Sequence, residues 1–237
     1  AHFTVIREYG IVLYGVAIQD VFAEVPKEDY FDSIFEDIQD AKEDIIREIE
    51  GLVERGYKEV VLTGIHISSY GTDFGQAGLL DLVQSIQEIE GLHRIRLGSL
   101  EPRIVTEEFA TGLSQLSKVC PHFHLSLQSG SLNTLKRMNR HYTPSEYLKG
   151  VEELRKAFVN PAITTDVIVG FPGETEEEFE ETREFLQNIR LYEMHIFKYS
   201  IRKGTIAAKM PDQVPDQIKA KRSDILLEME ERLSREY

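Results

Sequence analysis

The stretch ITTDVIVGFPGETEEEFEET, residues 163–182, decides how the rest of the chain is parsed. Val167, Ile168 and Val169 form a β-branched run with one acid, Asp166, at its head. β-Branched side chains suit a pleated surface, and apolar residues at successive positions suit a strand covered on both faces. The run ends at Gly170-Phe171-Pro172-Gly173, where proline cannot extend a ladder and glycine allows a sharp turn. Acids then crowd the start of ETEEEFEETREFLQNI, where the dipole of a new helix favours negative charge. A buried strand, a glycine-proline elbow and a helix in immediate succession describe one parallel βα unit.

The same alternation runs outward in both directions. Strand-like runs fall at residues 11–18, 59–65, 94–100, 122–128, 163–170 and 193–200. Between them, SIFEDIQDAKEDIIREIEGLVERG repeats apolar residues at helical spacing and stops at Gly56, and LLDLVQSIQEIEG stops at Gly91. In TPSEYLKGVEELRKAF, Thr143 is placed as an N-cap, Pro144 takes the first helical position and Glu146 completes a capping box. From Val214 the chain reads as a charged terminal helix over 214–237. The expected class is α/β, a single domain over 1–237; a doubly wound sheet and a full or partial barrel both fit the alternation.

Composition narrows the function. Hydrophobic residues make up 41% of the 237, and no apolar run approaches membrane-spanning length, so no membrane partner is expected. No signal peptide is apparent at the N-terminus. The one cysteine, Cys120, rules out an internal disulfide framework and fits a reducing, cytoplasmic setting. It equally rules out a metal site built from several thiolates of this chain, and no metal ligand is assigned. A net charge of −14 argues against a broad nucleic-acid surface, although bases cluster at 135–141 and 198–209.

In parallel α/β folds, ligands bind at the C-terminal ends of strands. Those ends carry Thr63-Gly64, then Gly98-Ser99-Leu100-Glu101, then Ser126, Gln128 and Ser129. The fifth carries Asp166 and the elbow, and the sixth carries Tyr199 and Arg202. The elbow glycines are expected to let a ligand approach the backbone, with the N–H groups of the next helix facing it. Neither GxxxxGK[ST] nor GxGxxG occurs, so a nucleoside lying across several strand ends suits the pattern better than a phosphate cradle.

The segments GYKEVVLTGIHISSYGTDF, RIRLGSLEP, CPHFHLSLQSGS, LKRMNRHYT, ITTDVIVGFPGETEEEFEET and FKYSIRKGTIAAKMPDQ closely resemble the radical S-adenosylmethionine core of the tRNA methylthiotransferases. The resemblance is nearest to the branch acting on threonylcarbamoyladenosine, and it runs from about Glu43 to Tyr237. It implies a partial (β/α)6 TIM-like barrel of the radical S-adenosylmethionine type, with S-adenosylmethionine across the strand ends and tRNA as partner. By that resemblance Thr63 and Gly64 approach the methionine amino group, and Ser99, Glu101, Ser126 and Gln128 face the ribose and methionine. Arg137 and Arg140 are placed for the carboxylate, where a guanidinium fork is the suitable partner. Asp166, Val169, Gly170, Phe171, Pro172 and Gly173 line the adenine end, and Tyr199 and Arg202 close the sixth strand.

The chain also departs from that family. A CxxxCxxC loop, whose thiolates hold a [4Fe–4S] cluster, is expected after the first strand. Here residues 17–20, AIQD, are followed by VFAEVPKEDYFDSIF, and the ligand positions fall near Phe22, Pro26 and Asp29. None of these replaces a soft thiolate. The family's usual N-terminal domain and C-terminal RNA-binding barrel find no counterpart in these 237 residues. Residues 1–40 read as a replacement in which FTVIREYGIVLYGVAIQDVFAEV forms a strand pair turning at Tyr9-Gly10. The expected function is a methylthiotransferase core inactive as written. The alternatives are a cluster-free S-adenosylmethionine or nucleoside-binding module, or an engineered or chimeric barrel scaffold.

Overall fold

The computed structural model describes residues 2–8, 11–17, 30–63, 67, 70 and 78–237, with side chains from Lys42 onward. In chain order the elements begin β1 (His2–Glu8), β2 (Ile11–Ala17), α1 (Tyr30–Glu54), β3 (Glu59–Thr63), α2 (Leu79–Gln87), β4 (Arg94–Leu97) and α3 (Glu107–Ser114). They continue with β5 (His122–His124), α4 (Leu132–Arg137), α5 (Pro144–Ala157), β6 (Ala162–Val169), α6 (Glu176–Ile189), β7 (Glu193–Lys198) and α7 (Asp216–Glu236). The chain divides into two compact units, Ala1–Glu101 with Glu107–Pro121, and Pro102–Thr106 with His122–Tyr237.

In the first unit the sheet order is β1-β2-β3-β4. β1 and β2 pair antiparallel from His2↔Ala17 to Glu8↔Ile11, as expected for a strand pair, although the Tyr9-Gly10 turn lies outside the described residues. β2, β3 and β4 then run parallel, each joined to the next by a helix-bearing crossover. α1 turns Ile45, Ile49 and Leu52 inward at helical spacing, each at most 2% exposed. Gly56 ends it in the left-handed region (φ +95°), where the Tyr57 N–H returns to Leu52 O at 3.1 Å. α2 stops at Gln87, short of the expected Gly91, because the Glu88 and Ile89 N–H groups tighten onto carbonyls three residues back.

The second unit holds the parallel sheet β5-β6-β7. On β6, Ile163, Thr165, Val167 and Val169 share one face and are each at most 1% exposed. Burying each valine or isoleucine there stabilises the fold by roughly 1.5–3 kcal/mol. β5 is shorter than the expected 122–128. Gln128 adopts φ +69°, and the Leu127 N–H bonds the Thr165 hydroxyl at 3.0 Å instead of a backbone carbonyl. Pairing resumes for one bridge, Gln128↔Val167. The expected capping box of Thr143 with Glu146 is present, and Thr175, not read as a cap from the sequence, forms another with Glu178. The terminal helix α7 packs on β6, β7 and α6.

Candidate functional site

Parallel register sets what the uncovered face of the second sheet presents. His124 pairs with Thr164 and Asp166 with His195, so β5, β6 and β7 bring His124, Asp166 and His195 to that face, with Glu193 beside them. His195 Nδ1 lies 3.1 Å from Asp166 Oδ1, and His124 Nε2 lies 3.6 Å from Asp166 Oδ2. The two rings stack at 5.8 Å, 19° apart. Behind them, Thr164 Oγ1 is 2.9 Å from His124 Nδ1 and Glu193 Oε1 is 3.6 Å from His195 Nε2. The His124 imidazole holds the Asp166 carboxyl below the usual carboxylate range; partial burial opposes this and His195 adds to it. Ligand atoms of the three residues lie within 4.8 Å of one another, a group able to hold a metal ion. Sequence reading assigned Asp166 but neither histidine, since a lone histidine in an apolar strand carries no signal until register is known.

The elbow is built differently from expectation. Gly170 (φ +71°) and Gly173 (φ +77°) are glycines because the chain's own side chains fill the space beside them. A Cβ on Gly170 would stand 2.3 Å from Lys219 Cγ, and one on Gly173 would stand 3.3 Å from Arg137 Nε. The Gly170 N–H donates to Glu174 Oε1 at 3.0 Å, and the Gly173 N–H to Asp212 O at 2.9 Å. Glu174 in turn accepts from Arg222 Nη1 at 2.6 Å, a pair with side-chain exposures of 3% and 5%. Burial pushes the Glu174 carboxyl up, while the Gly170 N–H and Arg222 pull it down. The elbow N–H groups are therefore held internally.

Around the elbow, Phe171 and Pro172 are buried, and the Phe171 ring meets Tyr199 edge-on at 5.2 Å. Tyr199 donates its N–H to Val169 O at 2.9 Å, and its hydroxyl is buried without a partner. Val169 turns its side chain to the face opposite Asp166. Gln128 is buried, and its backbone is bracketed by the Asp166 carbonyl and the Ile168 N–H, both at 2.9 Å; Ser126 is half-buried. The Arg137 fork is already engaged: Nη1 donates to Glu178 Oε1 at 3.0 Å, and Nη2 donates to Glu178 Oε2 and to Thr134 Oγ1. Arg140 and Arg202 are exposed.

In the first unit, Thr63 ends β3 with its Oγ1 2.7 Å from where a Gly98 Cβ would stand, so only glycine fits there. Ser99 is exposed and Glu101 half-buried. Gly64, Phe22, Pro26 and Asp29 lie outside the described residues.

Residues 30–186 match the Radical SAM superfamily. The chain belongs to that superfamily. It is 43% identical over 195 residues to the tRNA-2-methylthio-N(6)-dimethylallyladenosine synthase of Thermoanaerobacter sp. (strain X514), covering 82% of this chain and 41% of that protein. It is also 43% identical over 196 residues to the threonylcarbamoyladenosine tRNA methylthiotransferase MtaB of Bacillus subtilis (strain 168), covering 82% and 44%. The chain thus spans less than half the length of these curated relatives. Among solved structures, Escherichia coli coproporphyrinogen III oxidase (HemN), a radical SAM enzyme, superposes with a TM-score of 0.62 at 18% identity, covering 89% of this chain and 47% of that one. The radical S-adenosylmethionine methyltransferase TsrM of Kitasatospora setae, with cobalamin and a [4Fe–4S] cluster bound, gives 0.54 at 17% identity, covering 66% and 30%. The fold class is the α/β class of the radical S-adenosylmethionine type expected from the sequence.

This superfamily uses S-adenosylmethionine and a [4Fe–4S] cluster. The donor set of the chain does not fit the cluster. A [4Fe–4S] cluster takes cysteine thiolates, and the sequence holds a single cysteine. That residue, Cys120, precedes β5 with its thiol pushed up by burial. Of the residues expected to hold S-adenosylmethionine, Ser126 is half-buried and the Tyr199 hydroxyl is buried without a partner. No helix among the described residues is long and apolar enough to cross a membrane.

Proposed function

We propose that the chain is the S-adenosylmethionine-binding core of a tRNA methylthiotransferase and that, by itself, it does not cleave S-adenosylmethionine to a radical. The in-order similarity over 82% of the chain to two methylthiotransferase classes supports the first half. The two classes match at the same 43%, so the proposal is for methylthiolation of a tRNA adenosine as a class. The single thiol carries the second half. Within the second unit, Ser126 and Gln128 face the ribose and methionine. Tyr199 and Arg202 close the adenine end, beside an elbow whose glycines are filled by Lys219 and Arg137. Arg140 takes the carboxylate in preference to Arg137, whose fork is occupied by Glu178.

Anaerobic iron and sulfide reconstitution, followed by calorimetry with S-adenosylmethionine and an assay for 5′-deoxyadenosine after reduction, tests the reading. Without iron chelation of the amino acid, a Kd of about 0.1–1 mM is expected, with no stoichiometric cluster. Stoichiometric cluster together with deoxyadenosine would overturn the second half. Absence of any S-adenosylmethionine binding at millimolar concentration would overturn the first and leave a bare barrel scaffold.

A further inference from the structure

We infer that His124, Asp166 and His195 form a binding site for one divalent transition-metal ion of the zinc class, independent of any iron–sulfur cluster. Two imidazoles and one carboxylate are borderline donors that select Zn²⁺, Co²⁺, Ni²⁺ or Fe²⁺ over Mg²⁺ or Ca²⁺. Each donor stands on a different strand of one parallel sheet, so ladder hydrogen bonds fix their spacing. The geometry agrees with that size of ion. Tetrahedral ligands at about 2.0–2.1 Å from a metal stand about 3.3 Å apart; here the imidazoles lie 3.1 and 3.6 Å from the two Asp166 oxygens, and one donor atom from each residue falls within 4.8 Å of the others, so side-chain rotation alone closes the set on an ion. Both imidazoles are oriented from behind. Thr164 Oγ1 lies 2.9 Å from His124 Nδ1, a contact that fixes the ring with Nε2 facing Asp166. Glu193 Oε1 lies 3.6 Å from His195 Nε2, with Nδ1 facing Asp166. With His195 45% and Asp166 31% exposed, solvent reaches the remaining coordination position, the arrangement of a three-ligand open site. In the metal-free protein the 3.1 Å His195–Asp166 contact is a hydrogen bond that the ion would replace.

The test uses the full chain, stripped with chelator, titrated with Co²⁺ by its visible d–d absorption and then displaced with Zn²⁺. One Co²⁺ per chain is expected, displaced stoichiometrically by Zn²⁺. His195→Gln and His124→Gln should each weaken binding at least tenfold, and Thr164→Val, which touches no metal, about 10–100-fold. Far-UV circular dichroism reports folding of each variant. Should His124→Gln fail to fold, His195→Gln decides the question, because that exposed side chain is not part of the core. Absence of one-to-one binding below millimolar Co²⁺, or equal affinity in wild type and His195→Gln, would overturn the site and leave a hydrogen-bonded triad. None of these readouts depends on S-adenosylmethionine, so this proposal and the preceding one fail separately.

Discussion

Removing the cation behind the elbow should unfold the protein in a pH-dependent way. Arg222→Met keeps the length and apolar stem of the side chain but deletes the charge facing Glu174. In the native protein that guanidinium donates to Glu174 Oε1 at 2.6 Å and Glu174 O at 3.2 Å, and lies over the Phe179 ring at 5.2 Å. Both charged groups are nearly solvent-free, so the variant strands a buried carboxylate, a change that costs about 3–5 kcal/mol. The sign of the pH dependence follows from burial, which already raises the Glu174 carboxyl above its usual range against the pull of the Gly170 N–H and Arg222. Without Arg222 it rises further, so the folded state holds a proton that the unfolded chain releases. Stability of the variant then falls as pH climbs from the ordinary carboxylate range through the raised folded value. Urea unfolding followed by circular dichroism should show a deficit that is small near about pH 4 and complete near about pH 8, at unchanged m. Glu174→Gln in the same chain should restore most of the loss, because the buried charge is then gone from both sides. A deficit under about 1 kcal/mol, or one equal at both pH values, would refute the idea that this pair is held by mutual neutralisation.

Gly170→Ala should cost about 2–4 kcal/mol, from a methyl 2.3 Å from Lys219 Cγ at a φ of +71°. Gly204→Ala, at φ +90° with open space around it, should cost only about 1 kcal/mol, and thermal melts of the two variants compare them directly. Thr143→Ala and Thr175→Ala should each lower stability by about 1 kcal/mol in denaturant unfolding, and additively, since they cap different helices.

What the sequence carried was local grammar. Thr143-Pro144 with Glu146, the Gly56 stop and the strand-elbow-helix run at 163–182 each encode their conformation within a few residues, and each appears as read. The six-residue α4 and eight-residue α3 were not legible, because elements that short depend on tertiary packing more than on propensity. The His124–Asp166–His195 group was hidden for another reason: its members are single polar residues in three apolar runs, and only the parallel register places them side by side. Glycine was readable as a need for space, but not for whose. The filler beside Gly170 is Lys219 on α7, and the filler beside Gly173 is Arg137 on α4. Arg137 shows how a reading by resemblance and a local reading can meet in a different arrangement. The family resemblance places Arg137 for a carboxylate, and Glu178 falls in the acidic first turn that favours a helix start. The structure joins them: Glu178 Oε2 accepts the Thr175 N–H at 3.1 Å and also takes the Arg137 fork. Burial works to raise that carboxyl, yet Arg137 and the Thr175 N–H hold it below the usual range. Arg137 is thus spent on fixing α4 against the start of α6, which positions the elbow from one side as Arg222 does from the other.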